Sequence, residues 1–286
     1  MDTTDLADFR FAARPARAPL DRFVETLWHA KGRVPYAEER ILPNARPVLI
    51  INLGDGFEIA NGGLADAKGL KRTAWICGVQ SGFLINRPLG RTEMVGATLR
   101  PAGLPALAGE TAAAFADRAP DLDCLWPGRC ELLRDRLWSC PTPAGRLDLL
   151  ERFLAARLSE ATVHAEVHAA LRLLGGNGRA TVGATAVALE RSRKHLAGLF
   201  RYHVGVPPRT YARIARFNRL LSVLAERPDL ALAQCALRSG YYDQPHLNRD
   251  FSEFAGLAPS AYLAQRERHL GAHAESEESR NFVPVR

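Results

Sequence analysis

The chain has 286 residues, with 38 Lys+Arg against 31 Asp+Glu for a formal charge of +7, and is 47% hydrophobic and 24% charged. That composition belongs to a soluble globular protein with room for two domains. The most apolar short run, VLIINL (48–53), is far below the roughly 20 residues of a membrane helix, and the acidic start MDTTDLADF lacks the apolar stretch of a secretory signal.

The expectation is a cytoplasmic protein without membrane association. Cysteines 77, 124, 130, 140 and 235 form no C-x-x-C pair and lack zinc-ligand spacing, so they read as reduced structural residues, with no cofactor expected.

From about residue 33 to 100 the pattern is β. PVLIINL (47–53), a Gly-Asp-Gly turn and FEIA (57–60) predict a hairpin. AWICGV (74–79), FLIN (83–86) and RTEMVGATLR (91–100) predict further short strands, and this density suggests a small barrel or sandwich. After Pro101 the pattern turns helical at 103–109, 130–138 and 144–158. In the last of these Leu147, Leu150, Leu154 and Leu158 form one stripe, which packs either on the strands or on a second subunit.

From residue 163 the chain reads as all-helical, with helices expected at 163–174, 181–189, 192–203, 208–226, 230–238, 244–255 and 259–268. Gly- and Pro-containing breaks separate them. The second half repeats the first: FRYHVGVPPRTY (200–211) and FSEFAGLAPSAY (251–262) share an aromatic start, G-x-x-P and a closing Tyr. An internally duplicated helix-turn-helix unit explains the repeat. Residues 165–270 carry 15 Lys+Arg against 8 Asp+Glu, which accounts for all of the +7. That is the footprint of a nucleic-acid-binding module beside a neutral domain.

In the first unit Ser192 is placed to cap a helix whose Leu196, Leu199 and Phe200 face inward. This leaves Arg193, Lys194, Ala197, Gly198 and Arg201 outward. In the second, Asp243 caps a helix with Leu247, Phe251 and Phe254 inward, and Gln244, His246, Asn248 and Arg249 on other faces. A helix in the major groove meets base edges with its N-terminal side chains. Gln244 suits adenine and Arg249 or Lys194 guanine, while His246 or Asn248 suits a base or phosphate. Arg193 and Arg201 suit phosphates.

At these residues a resemblance is plain. SRKHLAGLFRYHVGVPPRTY (192–211) and ALRSGYYDQPHLNRDFSEFAGLAPSAY (236–262) resemble, in order, the two helix-turn-helix signatures of the AraC/XylS family of transcription regulators. The resemblance implies two subdomains joined by a long helix on double-stranded DNA, often as a homodimer through the other domain. Activation is the family's commoner mode, with RNA polymerase a candidate partner. Carried over by position, the base-contacting places fall on Lys194, Ala197 and Gly198, and on Gln244, Pro245, Asn248 and Arg249. Gly198 departs from the long polar side chain usual there, which puts extensive readout by the first helix in doubt.

Such regulators often place a cupin-like barrel holding a small-molecule effector ahead of the DNA-binding domain. Here LPNARPVLIINLGD (42–55) and GATLRPAGLPALAG (96–109) resemble an uncharacterised front domain from one branch of the family. The expected fold is therefore α+β multidomain: a cupin-like N-terminal β-barrel with a helical appendage (1–158), an all-α double helix-turn-helix domain (163–268) and a disordered tail (271–286).

Residues 1–163 hold one histidine, His29, too few for a metal-dependent cupin, and no nucleophile or phosphate-loop motif, so neither an enzyme nor a metal site is expected. Trp28, Phe57, Trp75 and Phe83 either line a pocket or form core. Arg46 and Arg100 either meet an anionic effector or are surface charge. The competing function is a constitutive DNA-binding protein whose front domain only dimerises.

Overall fold

The computed structural model describes residues 9–34, 36–61, 69–159, 165–176, 178, 180–268 and 281–285. Among the described residues ten strands form two antiparallel five-stranded sheets. The first runs β1 (Arg10–Pro15), β2 (Val24–Gly32), β9 (Thr92–Leu99), β4 (Val48–Asn52), β7 (Ala74–Cys77). The second runs β10 (Phe282–Pro284), β3 (Glu39–Ile41), β8 (Leu84–Pro88), β5 (Phe57–Asn61), β6 (Gly69–Lys71).

One face of the first sheet meets the second, where Trp75 packs with Phe57, Ile59 and Leu84. Its other face is covered by α1 (Leu104–Ala108), α2 (Arg129–Ser139) and α3 (Pro143–Ala155).

The expected hairpin between β4 and β5 does not form, because the two strands lie in different sheets. The turn is a corner. Leu53 and Gly54 donate their amides to the Glu93 carbonyl, keeping the chain beside β9, and Asn52 Nδ2 donates to the Asp55 and Arg72 carbonyls at 2.7 and 3.0 Å. A Cβ at Gly54 would strike the backbone at Arg91, so only glycine fits this close approach.

The leucine stripe of α3 is settled by its neighbours. Leu147, Leu150 and Leu154 are buried with Leu27, Leu49, Ile51 and Val95 of the first sheet, which leaves none of the three for a second subunit. Beside them the buried Arg146 guanidinium bonds Glu93 and donates to His29 Nε2 at 2.9 Å. Burial, and then the Arg146 charge, lower the His29 pKa. Trp28, Phe57 and Trp75 are core, whereas Phe83 is half-buried at the junction between the sheets and the helical region.

The helical region comprises α4 (Ala165–Gly175), α5 (Val182–Ala188), α6 (Arg193–His203), α7 (Pro208–Glu226), α8 (Leu232–Ser239), α9 (Gln244–Ala255) and α10 (Pro259–Arg268). Its core is continuous with Leu42, Ala45, Val79 and Ala102 of the sheet region. Polar contacts reinforce that seam: Asn218 Nδ2 donates to the Pro43 carbonyl at 2.9 Å, and Arg40 Nη1 to the Gly256 carbonyl at 3.1 Å.

The tail is a correction. Residues 271–280 lie outside the described residues, but 282–284 are not disordered: they pair with β3, Val283 is fully buried, and Asn281 Nδ2 donates to Asn218 Oδ1 at 3.0 Å. The five cysteines are free, and among the described residues no group of His, Cys, Asp or Glu could hold a metal ion. No described helix is long and apolar enough to cross a membrane.

Candidate nucleic-acid interface

Two units of the same construction sit on either side of α7. In each the second helix starts on a side-chain cap. Ser192 Oγ accepts from the His195 amide at 3.0 Å, and Asp243 Oδ1 from the His246 amide at 2.7 Å. Such caps contribute about 1 kcal/mol each. In each, a buried phenylalanine meets a buried tyrosine eleven residues on, edge to face: Phe200–Tyr211 with centroids 5.5 Å apart and Phe251–Tyr262 at 5.4 Å. Between them stand Gly205 (φ 94°) and Gly256 (φ 65°), in a left-handed conformation that favours glycine. Cap, phenylalanine, glycine and tyrosine thus recur at the same spacing in both units.

α7 joins the units through aromatic contacts, Tyr211 reaching the first and Phe217 the second, with Phe217 5.3 Å from Phe251 and 5.2 Å from Phe254. Its arginines anchor the rear of α9. Arg213 pairs with the buried Asp250 at 2.9 Å and with Glu253 at 2.6 Å, and Arg216 with Asp250 at 3.5 Å. Glu253 holds the Arg213 guanidinium protonated well above its ordinary range. The charges of α9 therefore divide: buried Asp250 and exposed Glu253 both pair with Arg213 of α7, and Arg249 forms no such pair.

All ten sequence-chosen residues are off the core. Arg193, Lys194, Ala197, Gly198 and Arg201 are exposed on α6, and Pro245, Asn248 and Arg249 on α9, with Gln244 and His246 half-buried at its first turn. Arg193 lies against Gly183 of α5, at the edge of its unit. His246 stacks edge-on against buried Tyr241 at 5.2 Å, which fixes its ring beside the cap. Nothing lies within 4 Å of where a Cβ on Gly198 would sit, so that stretch of α6 is bare backbone. Tyr242, 85% exposed immediately before the cap of α9, is a candidate contact that the sequence reading missed. The Tyr-Tyr doublet was its signal, since only one of the two can fill the core.

The sheet region touches both units at the matching turn. A Cβ on Gly205 would lie 2.7 Å from the Ala112 carbonyl, and one on Gly256 would strike the Phe83 ring. Thr111 Oγ1 also donates to the Arg201 carbonyl, at 3.1 Å.

Residues 185–265 match the family described as a helix-turn-helix domain. The carboxyl-terminal domain is of the AraC type. That match supports a DNA-binding transcriptional regulator. Residues 13–121 match a domain of unknown function, DUF6597. No curated protein sequence matches the chain.

Among solved structures, ToxT from Vibrio cholerae is 10% identical and covers 90% of this chain and 98% of its own, with a TM-score of 0.50. This likeness carries the fold, a sheet-rich region ahead of the AraC-type domain. The C-terminal domain of AraT, a response regulator from Geobacillus stearothermophilus, is 19% identical over 37% of this chain and 89% of its own, with a TM-score of 0.35. The AraC-like transcriptional activator CuxR is 15% identical over 78% and 89%, with a TM-score of 0.27.

Proposed function

We propose that this regulator reads a specific duplex sequence with α6 and α9 in successive major-groove segments, and that α9 supplies most of the base recognition. The observation that carries the reading is the division of polar residues on α9. Asp250 and Glu253 are tied to α7, while Gln244, Asn248 and Arg249 stay clear of the core at the helix's outer side. Gln244 and Arg249 have the donor and acceptor sets for adenine and guanine. Arg193 and Arg201 take phosphates, with Lys194, Ala197, Gly198, Pro245 and His246 completing the contact surface.

The AraC-type architecture supports the remaining assignments: a front domain that binds a small-molecule effector and forms a homodimer, and action as a cytoplasmic activator contacting RNA polymerase.

Selecting bound fragments from a genomic library with the full chain tests the core of this reading. The expected outcome is a shared site with two recognition elements about one helical turn apart; no enrichment overturns it. The 19 residues of α7 span about 28 Å at 1.5 Å per residue, short of the roughly 34 Å between groove segments on one face of straight DNA. Bound DNA is therefore expected to bend, and a gel-mobility assay that finds the site straight would refute this.

A further inference from the structure

At the seam between the sheet region and α4 lies an open cavity of 510 Å³, within the range that holds a small metabolite. Its basic wall has two sources. Arg22 and Arg100 come from the sheet region, and His168 and Arg172, one helical turn apart, come from α4. Leu171 and Tyr211 add an apolar part to the lining. Among the described residues no carboxylate lines the cavity.

Among the described residues Arg22, Arg100 and Arg172 form no ion pair. Arg46, by contrast, is neutralised by Glu25 at 2.8 Å. Arg100 is held in place, its Nε donating to the Asp21 carbonyl at 2.7 Å. The charges converge: after burial, Arg172, Arg100 and Arg22 in that order lower the His168 pKa. Like charges facing one another across a junction repel, and no described acidic residue forms an ion pair with these three arginines.

We propose that this cavity binds a small polyanion, a molecule bearing two or more carboxylate or phosphate charges, which bridges the sheet region to the DNA-binding domain. The chemistry follows from the wall: guanidinium groups are suited to bidentate pairing with carboxylate and phosphate oxygens. Because Arg22 and Arg100 come from the sheet region and Arg172 from α4, an anion held by all three stabilises the docked arrangement. Use of the site as a control point rests on the regulator reading above; occupancy of the site does not.

The test is thermal unfolding of the full chain, without DNA, titrated with citrate and separately with inorganic pyrophosphate, against potassium chloride at equal ionic strength. A ligand that binds only the folded state raises the melting temperature in a saturable way. The expected result is a rise of several degrees with at least one polyanion. It is lost in Arg100→Gln and in Arg172→Gln and kept in Arg129→Gln, which changes an exposed arginine on α2. In the absence of anion Arg172→Gln is expected to melt at or above the wild-type temperature, since it removes a repulsive charge; Arg100→Gln also loses the bond to the Asp21 carbonyl, and a cooperative transition shows that it folds.

No polyanion-specific rise, or an equal rise in the cavity variants, overturns the proposal. The same chemistry could come from a DNA phosphate. If citrate and pyrophosphate do nothing while Arg100→Gln and Arg172→Gln each reduce the salt dependence of duplex binding by about one counterion, the cluster is a backbone contact and the proposal falls. A chain that binds polyanion but no duplex would instead sink the regulator reading and leave this site standing.

Discussion

The two helix-turn-helix units are copies in geometry and unlike in chemistry. Caps, aromatic pairs and left-handed glycines recur at matching positions. The first unit, however, presents Ala197 and bare Gly198 where the second presents Asn248 and Arg249. Their anchoring differs as well. The first is tied to α4 by Glu166, which accepts from His195 at 3.0 Å and bonds Arg191 at the surface. The second is tied to α7 by Asp250, which is buried. Even the turns differ: Glu190 takes φ 53° in the first unit, and Gly240 takes φ 89° in the second. The two units share caps, aromatic pairs and glycines, and differ in their ionic anchors and in the side chains they turn outward.

The sharpest break in this comparison is Phe217→Ala. Phe217 is fully buried against Phe251 and Phe254, so truncation should cost about 3–5 kcal/mol and loosen the second unit first. Denaturant unfolding followed by amide exchange would read both the loss and its location. Next come the readout residues. Gln244→Ala and Arg249→Ala should each remove about 1–3 kcal/mol of discrimination at one base pair. Lys194→Ala should remove less discrimination than either. Equal loss of discrimination from the three in a base-substitution scan would erase the asymmetry argued here.

Gly198→Arg tests it from the other side. An arginine in mid-helix should stabilise α6 by up to about 1 kcal/mol over glycine, and it has open space to enter. If α6 lies in the groove, the salt dependence of binding should also rise by about one counterion. The smallest effect is on pH. Hydrogen bonds from Arg191 and then His195 lower the Glu166 pKa from 4.5 to about 2. Because the folded value is depressed, this contribution is fully present above about pH 4.5 and fades as pH falls toward 2. Glu166→Gln should abolish that part of the acid dependence in a stability–pH titration, with the second unit unaffected.

The helical half was legible because its signals are local. Ser192, Asp243, Pro208 and Pro259 mark helix starts, and a 3.6-residue period separates Leu196, Phe200, Leu247 and Phe251 from the outward residues. The sheet half was less so. β2 is buried on both faces, so VETLWHAKG shows no alternation to find, and β1 was missed with it. The β4–β5 turn has hairpin composition, but its partners are supplied by β9, forty residues on. β10 is three residues after a polar stretch, and only its pairing with β3 makes it a strand. The basic cavity draws on residues 22, 100, 168 and 172, a set that no window of sequence contains.

The contacts at Gly205 and Gly256 have a consequence for how this molecule must move. Ala112 and Phe83 of the amino-terminal half rest on the corresponding elbow of each copy, so that half acts as a gauge block between two probes. If both units enter the groove as proposed, a small tilt of that block would change their pitch relative to the duplex at both ends together.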